Sequence, residues 1–298
     1  MPDPSIPTTP GVRRFDRPPG VIPSYLRAVA RARAGRTGRP LPDRRAVLPD
    51  VTADPAHLAA YAEVCGFRQD GTLPATYPHL LAFSASLALM TEPDFPLPLL
   101  GLVHTANTIT TRRPIGVGEQ LSLEVRTADL HPHPRGSLFD VISTVHAGPC
   151  AEEVWASRSS YLFRHPTDPA AAAPASEPSP EPALPRAQFE PWRLPADTGR
   201  RYAAVSGDRN PIHLHPWTAR LFGFPRAIAH GMWTKARVLA ALGDDLPEAA
   251  EIEVSFRAPV PLPAKVRLST AASTGWTDLA LTDAAGQRVH LRGSVTAR

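Results

Sequence analysis

The feature that most constrains the fold of this chain is an internal duplication of one pattern of helices and strands. Each copy has a short helix, then a buried helix, then segments in which apolar residues alternate with period two, and the buried helix of the first copy is apolar on nearly every side. A helix that is hydrophobic all round is buried, and alternating segments separated by Gly and Pro are typical of antiparallel strands. The repeat therefore predicts two copies of one module that combines helices with an antiparallel sheet.

The two copies correspond closely. The buried helices are predicted at residues 79–90 and 230–242, and the strands at residues 102–112, 120–127, 139–146 and 154–164 in the first copy and 251–259, 264–272, 277–282 and 288–297 in the second. A lone copy leaves a sheet edge and a helix uncovered, whereas two copies paired edge to edge cover both. We therefore expect an α+β double hotdog, with each long buried helix against a curved antiparallel sheet.

Composition divides the chain into four segments. Residues 1–47 are rich in Arg and Pro and are predicted to form an N-terminal arm with one short helix near residues 23–34. Residues 48–166 form the first module. Residues 167–187 consist mainly of Pro and Ala, which is typical of an extended linker, and residues 188–298 form the second module.

Charge and cysteine content exclude several classes of protein. The 298 residues carry a net charge of +4, and much of the arginine precedes residue 46. No groove-entering motif or aromatic run accompanies these arginines, so we expect no nucleic-acid partner. Cys65 and Cys150 make neither a disulfide framework nor a metal pattern, and the N-terminus lacks a signal peptide, so we expect a cytoplasmic protein. No apolar run is long enough for a membrane span.

The second copy carries a polar constellation. Asp208 and His213 are separated by a turn sequence, residues 209–212, in which Asn-Pro disfavours helix before the proline. We therefore expect both side chains on non-helical backbone, where they can converge. Gly231 opens the buried helix and leaves backbone N–H groups approachable at its positive end. A carboxylate, an imidazole and a bare amide are the groups needed to move a proton next to a carbonyl.

These residues resemble a known family. Residues 206–213 (SGDRNPIH), followed by Gly223-Phe224 and by residues 228–232 (IAHGM), resemble the signature of the MaoC-like hydratases. That family comprises (R)-specific enoyl-CoA hydratases and (3R)-hydroxyacyl-thioester dehydratases. The two-copy layout, with a first half that lacks the motif, resembles the actinobacterial double-hotdog dehydratases. The resemblance covers residues 48–298 and does not explain the arm.

The resemblance implies a reaction. Asp208 and His213 would be the catalytic pair, in contact with the water or the leaving hydroxyl at C3, and the Gly231 amide would hold the thioester carbonyl. The reaction would be reversible dehydration of (3R)-3-hydroxyacyl thioesters to trans-2-enoyl thioesters in fatty-acid or related acyl metabolism. The substrate would be carried on CoA or acyl carrier protein, with no metal and no redox cofactor. The residues leave open the chain length and which member of the pair handles the C2 proton.

Four further residues are predicted to support the site. Ser206 is expected to form a hydrogen bond at a helix end, and Asn210 to tie the turn together. His230 is expected to bond inside the protein with its backbone near the site, and Tyr202 to pack over it.

The first copy lacks this constellation. Phe67 stands near the position of Asp208, and Leu80 replaces the glycine that follows the helix-opening histidine. We therefore expect one active site per chain, with the first module as its wall and acyl-chain pocket. His79 and His104 are expected to be hydrogen-bonded histidines of the core or wall.

The sequence also bears on other functions and on the assembly state. A hotdog thioesterase would need a carboxylate on the buried helix, and residues 230–242 offer none. A non-catalytic acyl-thioester-binding subunit of a larger assembly is the alternative in a different class, and the intact Asp208 and His213 argue against it. A double hotdog can stand alone or pair again, so the chain is expected to be a monomer or a homodimer.

Overall fold

The computed structural model describes residues 11–31, 39–167 and 183–298. The first part of the chain contains β1 (Val12–Arg14), α1 (Val21–Arg31), β2 (Arg45–Val51), α2 (Pro55–Cys65), α3 (Tyr77–Met90), β3 (Leu102–Thr111), β4 (Leu121–His133), β5 (Gly136–Ala147) and β6 (Glu152–Arg164). The second part contains β7 (Ala187–Gln188), β8 (Trp192–Leu194), α4 (Thr198–Ser206), α5 (Pro211–Leu214), α6 (Pro216–Arg220), α7 (Gly231–Leu242), a 3-10 turn (Gly243–Asp245), β9 (Ala250–Phe256), β10 (Ala264–Ser273), β11 (Trp276–Asp283) and β12 (Val289–Ala297).

The described strands form one continuous sheet. The order along it is β1-β2-β4-β5-β6-β3-β9-β12-β11-β10-β7, and β8 pairs with β10. The two modules meet at β3 and β9, which pair antiparallel with Ile109 opposite Ile252, and both of these side chains are fully buried. The predicted edge-to-edge pairing of two modules is confirmed.

The helices begin and end where local sequence predicts. Asp54 caps α2 by accepting a hydrogen bond from the amide of Ala56 at 2.9 Å, and Pro55 follows at the first helical position. Gly66 ends α2 in the left-handed region with φ of 81°, a conformation that favours glycine. Helices α3 and α7 lie against the sheet with most of their side chains buried, as predicted.

Several boundaries differ from the sequence predictions. The hairpin of β4 and β5 extends to His133 and Gly136, several residues beyond the predicted strand ends. Strand β2 spans the predicted division at residue 47 because it joins the sheet between β1 and β4. Helix α1 begins at Val21, and residues 32–34 of the predicted helix lie outside the described residues, as does most of the predicted linker. The division into arm, modules and linker stays a prediction.

Hydrogen bonds join the two modules on their helical side. His57 in α2 bonds to the hydroxyl of Tyr77 at 2.8 Å through Nδ1 and to the backbone oxygen of Val205 at 2.7 Å through Nε2. The indole N–H of Trp233 in α7 donates to the backbone oxygen of Val64 in α2 at 3.0 Å. These bonds fix the second-module helices on the first module. Among the described helices, none is both long and apolar enough to cross a membrane.

A buried lysine lies at the junction of the modules. Lys235 in α7 is fully buried, and its ammonium donates to the Oδ1 of Asn107 at 2.6 Å, to the backbone oxygen of Asn107 at 3.1 Å and to that of Ile252 at 2.9 Å. The amide nitrogen of Asn107 in turn donates to the hydroxyls of Ser157 and Ser159. The Nζ of Lys235 therefore makes three hydrogen bonds, as a buried polar group requires, and burial lowers the pKa of Lys235 well below its ordinary value.

Candidate active site

The turn after α4 holds Asp208 by hydrogen bonds of the backbone and neighbouring side chains. Gly207 ends α4 in the left-handed region with φ of 74°. Ser206 accepts from the amide of Asp208 at 3.2 Å, and the Oδ1 of Asp208 accepts from the amide of Asn210 at 3.1 Å. Asn210 accepts from the amide of Ile212 at 3.4 Å. The structure thus places Ser206 at a helix end and Asn210 in the turn.

The prediction that His213 lies on non-helical backbone is wrong. Asp208 lies outside a helix, but His213 is the third residue of α5, for which Asn210 is the N-cap and Pro211 the first residue. Proline restricts only the residue before it and suits the first helical position. The Asn-Pro pair therefore starts a helix here, and that short helix turns the imidazole of His213 towards Asp208.

Gly199 lets α4 approach the backbone of His213. A β carbon at residue 199 would lie 2.1 Å from the backbone oxygen of His213. No side chain fits at that distance. The glycine in the first turn of α4 is therefore a requirement for the position of α5.

Asp208, His213 and His230 converge. A carboxylate oxygen of Asp208 and one ring nitrogen from each histidine lie within 4.8 Å of one another. The Nδ1 of His213 bonds to the backbone oxygen of Ile228 at 2.8 Å, and the Nε2 of His230 bonds to the backbone oxygen of Asp208 at 3.0 Å. A carbonyl only accepts, so these two nitrogens carry the protons of the neutral rings. The Nε2 of His213 is consequently left as an unprotonated acceptor.

Burial sets the charges of this cluster. Burial lowers the pKa of His213, against the opposing effect of Asp208, and lowers that of His230 to about 3. Burial would raise the pKa of Asp208, but the two imidazoles, a hydrogen bond from the Tyr25 hydroxyl and the Asn210 amide together hold it below its ordinary value. At neutral pH the cluster therefore consists of one carboxylate and two neutral imidazoles.

The N-terminus of α7 borders the cluster. His230 is the N-cap residue and makes no side-chain capping bond, so the first amides of α7 have no such partner. Gly231 is covered by the ring of Phe256, which would lie 3.1 Å from a β carbon at residue 231. Tyr202 is buried, with its ring centroid 4.9 Å from that of His230. The structure therefore brings all seven predicted site residues to one place.

One cavity opens onto these groups and extends along α3. It is lined by Asp208, Asn210, His213, His230 and Gly231 and by the α3 residues His79, Leu80, Phe83, Leu87 and Met90. From Leu80 to Met90 the α3 residues are three or four positions apart, and His79 is four positions before Phe83, so they share one side of the helix. At 1.5 Å per residue, His79 and Met90 are separated by about 16 Å along the axis. The polar cluster thus stands at one end of a long, mostly apolar channel.

The two histidines of the first module lie on the cavity wall, but one ring nitrogen differs from expectation. His104 and His79 line the cavity, as expected of wall residues, and the ring of His104 stacks on Tyr161 with centroids 4.5 Å apart. The Nε2 of His104, however, is buried and has no hydrogen-bond partner among the described residues. The prediction that its hydrogen bonds are satisfied is therefore wrong. Burial lowers the pKa of His104 to about 3.

Sequence reasoning missed Tyr25, whose hydroxyl donates to the Oδ1 of Asp208 at 2.8 Å. It also missed Arg135, Arg164 and Arg257, three exposed residues that line the same cavity. The sequence did carry a signal for Tyr25, because apolar and small residues recur around it at helical spacing in α1. That pattern indicates a helix that packs on the protein with Tyr25 on its inner face. No local pattern marks the arginines, because they come from three separate segments.

The same cluster is the group of described residues best placed to hold a cation. The Nε2 of His213, the Nδ1 of His230 and the Asp208 carboxylate remain available as ligands, while the other ring nitrogens bond to backbone carbonyls. Hydrogen bonds of that kind are also found on metal-bound histidines. The donor set therefore suits a cation as well as an acid–base pair.

Comparisons with known proteins identify the family. Residues 170–280 match the model of the MaoC like domain. The chain is 40% identical over 279 residues to 3-hydroxyacyl-thioester dehydratase X of Mycobacterium tuberculosis, covering 92% of this chain and 98% of that protein. It is 43% identical over 63 residues to 3-hydroxybutyryl-CoA dehydratase of Methylorubrum extorquens, covering 20% of this chain and 40% of that protein.

The fold agrees with these matches. The crystal structure of HtdX of Mycobacterium tuberculosis superposes with a TM-score of 0.74 at 38% identity, covering 86% of this chain and all of that one. The identity and the coverage together extend beyond the motif to both modules. The chain belongs to the MaoC-like dehydratase family.

Proposed function

We propose that this chain is a hydro-lyase that catalyses the reversible dehydration of (3R)-3-hydroxyacyl thioesters to trans-2-enoyl thioesters. The observation that carries the proposal is the convergence of Asp208 and His213 beside the N-terminus of α7, at one end of an apolar channel. The names of the relatives, a 3-hydroxyacyl-thioester dehydratase and a 3-hydroxybutyryl-CoA dehydratase, support this reaction.

The amide of Gly231 holds the thioester carbonyl in the proposed complex. Removing the C2 proton builds negative charge on the carbonyl oxygen, and a fixed N–H at the positive end of a helix stabilises that charge. One such donor contributes about 3 kcal/mol to transition-state stabilisation. The ring of Phe256 packs closely against Gly231, 3.1 Å from where a β carbon would lie.

Asp208 and His213 move the proton as a pair. The carboxylate is ionised and the Nε2 of His213 is unprotonated, so the resting site has two acceptors and no spare proton. The proton taken from C2 is therefore the one delivered to the departing C3 hydroxyl, and water leaves without a proton from solvent. In the hydration direction the pair takes a proton from water as its oxygen bonds to C3, and the proton goes to C2.

The proposed elimination involves no change of oxidation state, so we assign no redox cofactor, and acid–base catalysis by the pair replaces a metal.

The supporting residues hold the pair in place. Ser206 bonds to the backbone of Asp208, and the backbone amide of Asn210 bonds to its carboxylate. His230 and Tyr202 pack behind the pair and keep water out.

The acyl chain occupies the channel along α3 in this proposal, and the first module supplies its wall. Arg135, Arg164 and Arg257 line the same cavity and are exposed, and their charge suits the phosphates of CoA or of a phosphopantetheine-bearing carrier protein. All seven predicted site residues come from one chain, so both a monomer and a homodimer are compatible with activity.

The test is hydration of crotonyl-CoA, followed by loss of enoyl-thioester absorbance and by the configuration of the product. We expect a (3R) product from wild type and a fall in kcat of at least about a hundredfold in Asp208→Asn and in His213→Ala. His215→Ala is the control, because His215 is exposed two residues beyond the pair, and it should match wild type. Wild type that is inert on short and long enoyl thioesters, carried by CoA and by carrier protein, would refute the proposal in favour of a binding subunit.

A further inference from the structure

Tyr25 reaches the active site from a part of the chain that carries none of the family motif. It lies in α1, 183 positions before Asp208, and its hydroxyl donates to the Oδ1 of Asp208 at 2.8 Å. A residue outside the signature segment is therefore hydrogen-bonded to the carboxylate of the proposed acid–base pair.

Helix α1 is anchored over the turn that carries Asp208. Its inward face consists of residues at positions i, i+3, i+4 and i+7, namely Val21, Ser24, Tyr25 and Ala28. Ser24 and Ala28 are buried, and the side chain of Val21 packs against Gly207, where it would lie 3.4 Å from an added β carbon. Val21 and Tyr25, one helical turn apart, therefore contact two consecutive residues of the turn, and the position of Tyr25 is set by packing.

The hydroxyl of Tyr25 acts as a donor. Burial, with Asp208 beside it, raises the pKa of Tyr25 well above its ordinary value, so the phenol stays protonated. The Oδ1 of Asp208 then accepts two hydrogen bonds, from Tyr25 and from the amide of Asn210. The Oδ2 lies 3.8 Å from the Nε2 of His230 and has no hydrogen bond of normal length from the described residues. The carboxylate is thus held by one oxygen, with the other left for chemistry.

We propose that Tyr25 is a positioning residue of the active site: its hydroxyl binds the Oδ1 of Asp208 and so fixes the carboxylate with Oδ2 directed at the reacting atoms. The N-terminal segment is then part of the catalytic machinery and not an appendage. This inference rests on the proposed function, because its kinetic readout is thioester hydration.

The substitution Tyr25→Phe tests the hydroxyl alone, since it keeps the ring that packs against the site. Loss of a hydrogen bond to a charged group lets the carboxylate rotate and removes one of the interactions that hold its pKa down. We expect kcat for crotonyl-CoA hydration to fall about 10- to 100-fold with KM changed less than about twofold. We also expect the acid limb of kcat/KM to move to higher pH. Leu26→Ala, on the exposed face of the same helix, should match wild type in both measurements.

A second readout needs no activity. The ionisation of Asp208 is followed by carboxyl carbon-13 NMR in wild type and Tyr25→Phe, with Asp208→Asn used to assign the signal. We expect the Asp208 pKa to be higher in Tyr25→Phe. An active wild type whose Tyr25→Phe variant keeps kcat and the acid limb would overturn the inference. An inert wild type would contradict the proposed function. The inference about Tyr25 would then be judged by NMR alone, and an Asp208 pKa that is the same in wild type and Tyr25→Phe would overturn it.

Discussion

The imidazole rings of His213 and His230 stack with their centroids 3.7 Å apart and their planes tilted by 27°. Protonating either ring would place a positive charge in a buried site, and burial lowers the pKa of both histidines. The Nε2 of His213 therefore stays available as a proton acceptor over a wider pH range than an exposed histidine would allow.

This relationship predicts the pH dependence of activity. The pKa values of His213 and Asp208 both lie below their ordinary values, and protonation of either disables the pair. Because a lowered pKa moves protonation to lower pH, we expect kcat/KM for enoyl-CoA hydration to be constant from pH 8 to well below about 6.5, the ordinary pKa of imidazole. The measurement is kcat/KM at fixed ionic strength between pH 4.5 and 8. An acid limb centred at or above about 6.5 would contradict it.

A second prediction concerns Gly199. In Gly199→Ala the new methyl group would lie 2.1 Å from the backbone oxygen of His213, so α5 must shift and carry His213 away from Asp208. We expect kcat to fall at least about tenfold, since a displacement of about 1 Å can cost far more than that. Gly118→Ala is the matched control, because nothing lies within 4 Å of its added β carbon. Equal activity of the two variants would show that α5 does not depend on this close approach.

A third prediction concerns metal dependence. Asp208, His213 and His230 could together bind a cation, whereas the proposed reaction uses them as an acid–base pair and its support. We expect crotonyl-CoA hydration to be unchanged after dialysis against EDTA and after addition of Zn²⁺, Mg²⁺ or Mn²⁺ to the dialysed protein. Activity that disappears on chelation and returns with one of these ions would assign the cluster to metal-assisted hydration instead.

Most of the architecture could be predicted because each step rested on a local signal. The period-two strands, the apolar helix α3, its repeat in α7 and the capping sequence around Asp54 each point to one structure. The seven predicted site residues lie together because they share one segment and its neighbouring helices. The helix at His213 was missed because Asn-Pro was interpreted only as a turn, although proline also starts helices.

What could not be predicted depends on contacts between distant segments. Tyr25 and Asp208 are 183 positions apart, and no sequence period links them. Likewise, Lys235 lies in α7 next to Thr234 and two positions before Arg237, and its acceptors come from β3 and β9 at the module junction. Such pairs become visible only when the sheet brings the two modules together.

The junction itself yields a fourth prediction. Lys235 donates to the Oδ1 of Asn107 in a fully buried site. Removing either side chain therefore leaves the buried polar group of the other without this hydrogen bond. We expect Asn107→Leu to lower the free energy of unfolding by about 3 kcal/mol. The double variant Asn107→Leu/Lys235→Met should lose at least about 1 kcal/mol less than the sum of the two single variants.

Urea denaturation of the four proteins measures this coupling. Asn107→Leu combined with Lys265→Met is the control, because Lys265 is exposed and its effect should simply add. Additive losses in both cycles would indicate that the buried bond does not link the two modules energetically.

The last prediction concerns the length of the acyl chain. Met90 ends α3 and lines the cavity about 16 Å from His79 along the helix axis, so a larger side chain there blocks the far end of the channel without reaching Asp208. In Met90→Trp we expect crotonyl-CoA to be hydrated as by wild type, while KM for a dodecenoyl-CoA rises at least about tenfold, because tail burial contributes about 0.8 kcal/mol per CH₂. Met90→Leu, which nearly conserves volume, should hydrate both substrates normally. If Met90→Trp slows both substrates equally, or neither, then the channel along α3 does not hold the acyl chain.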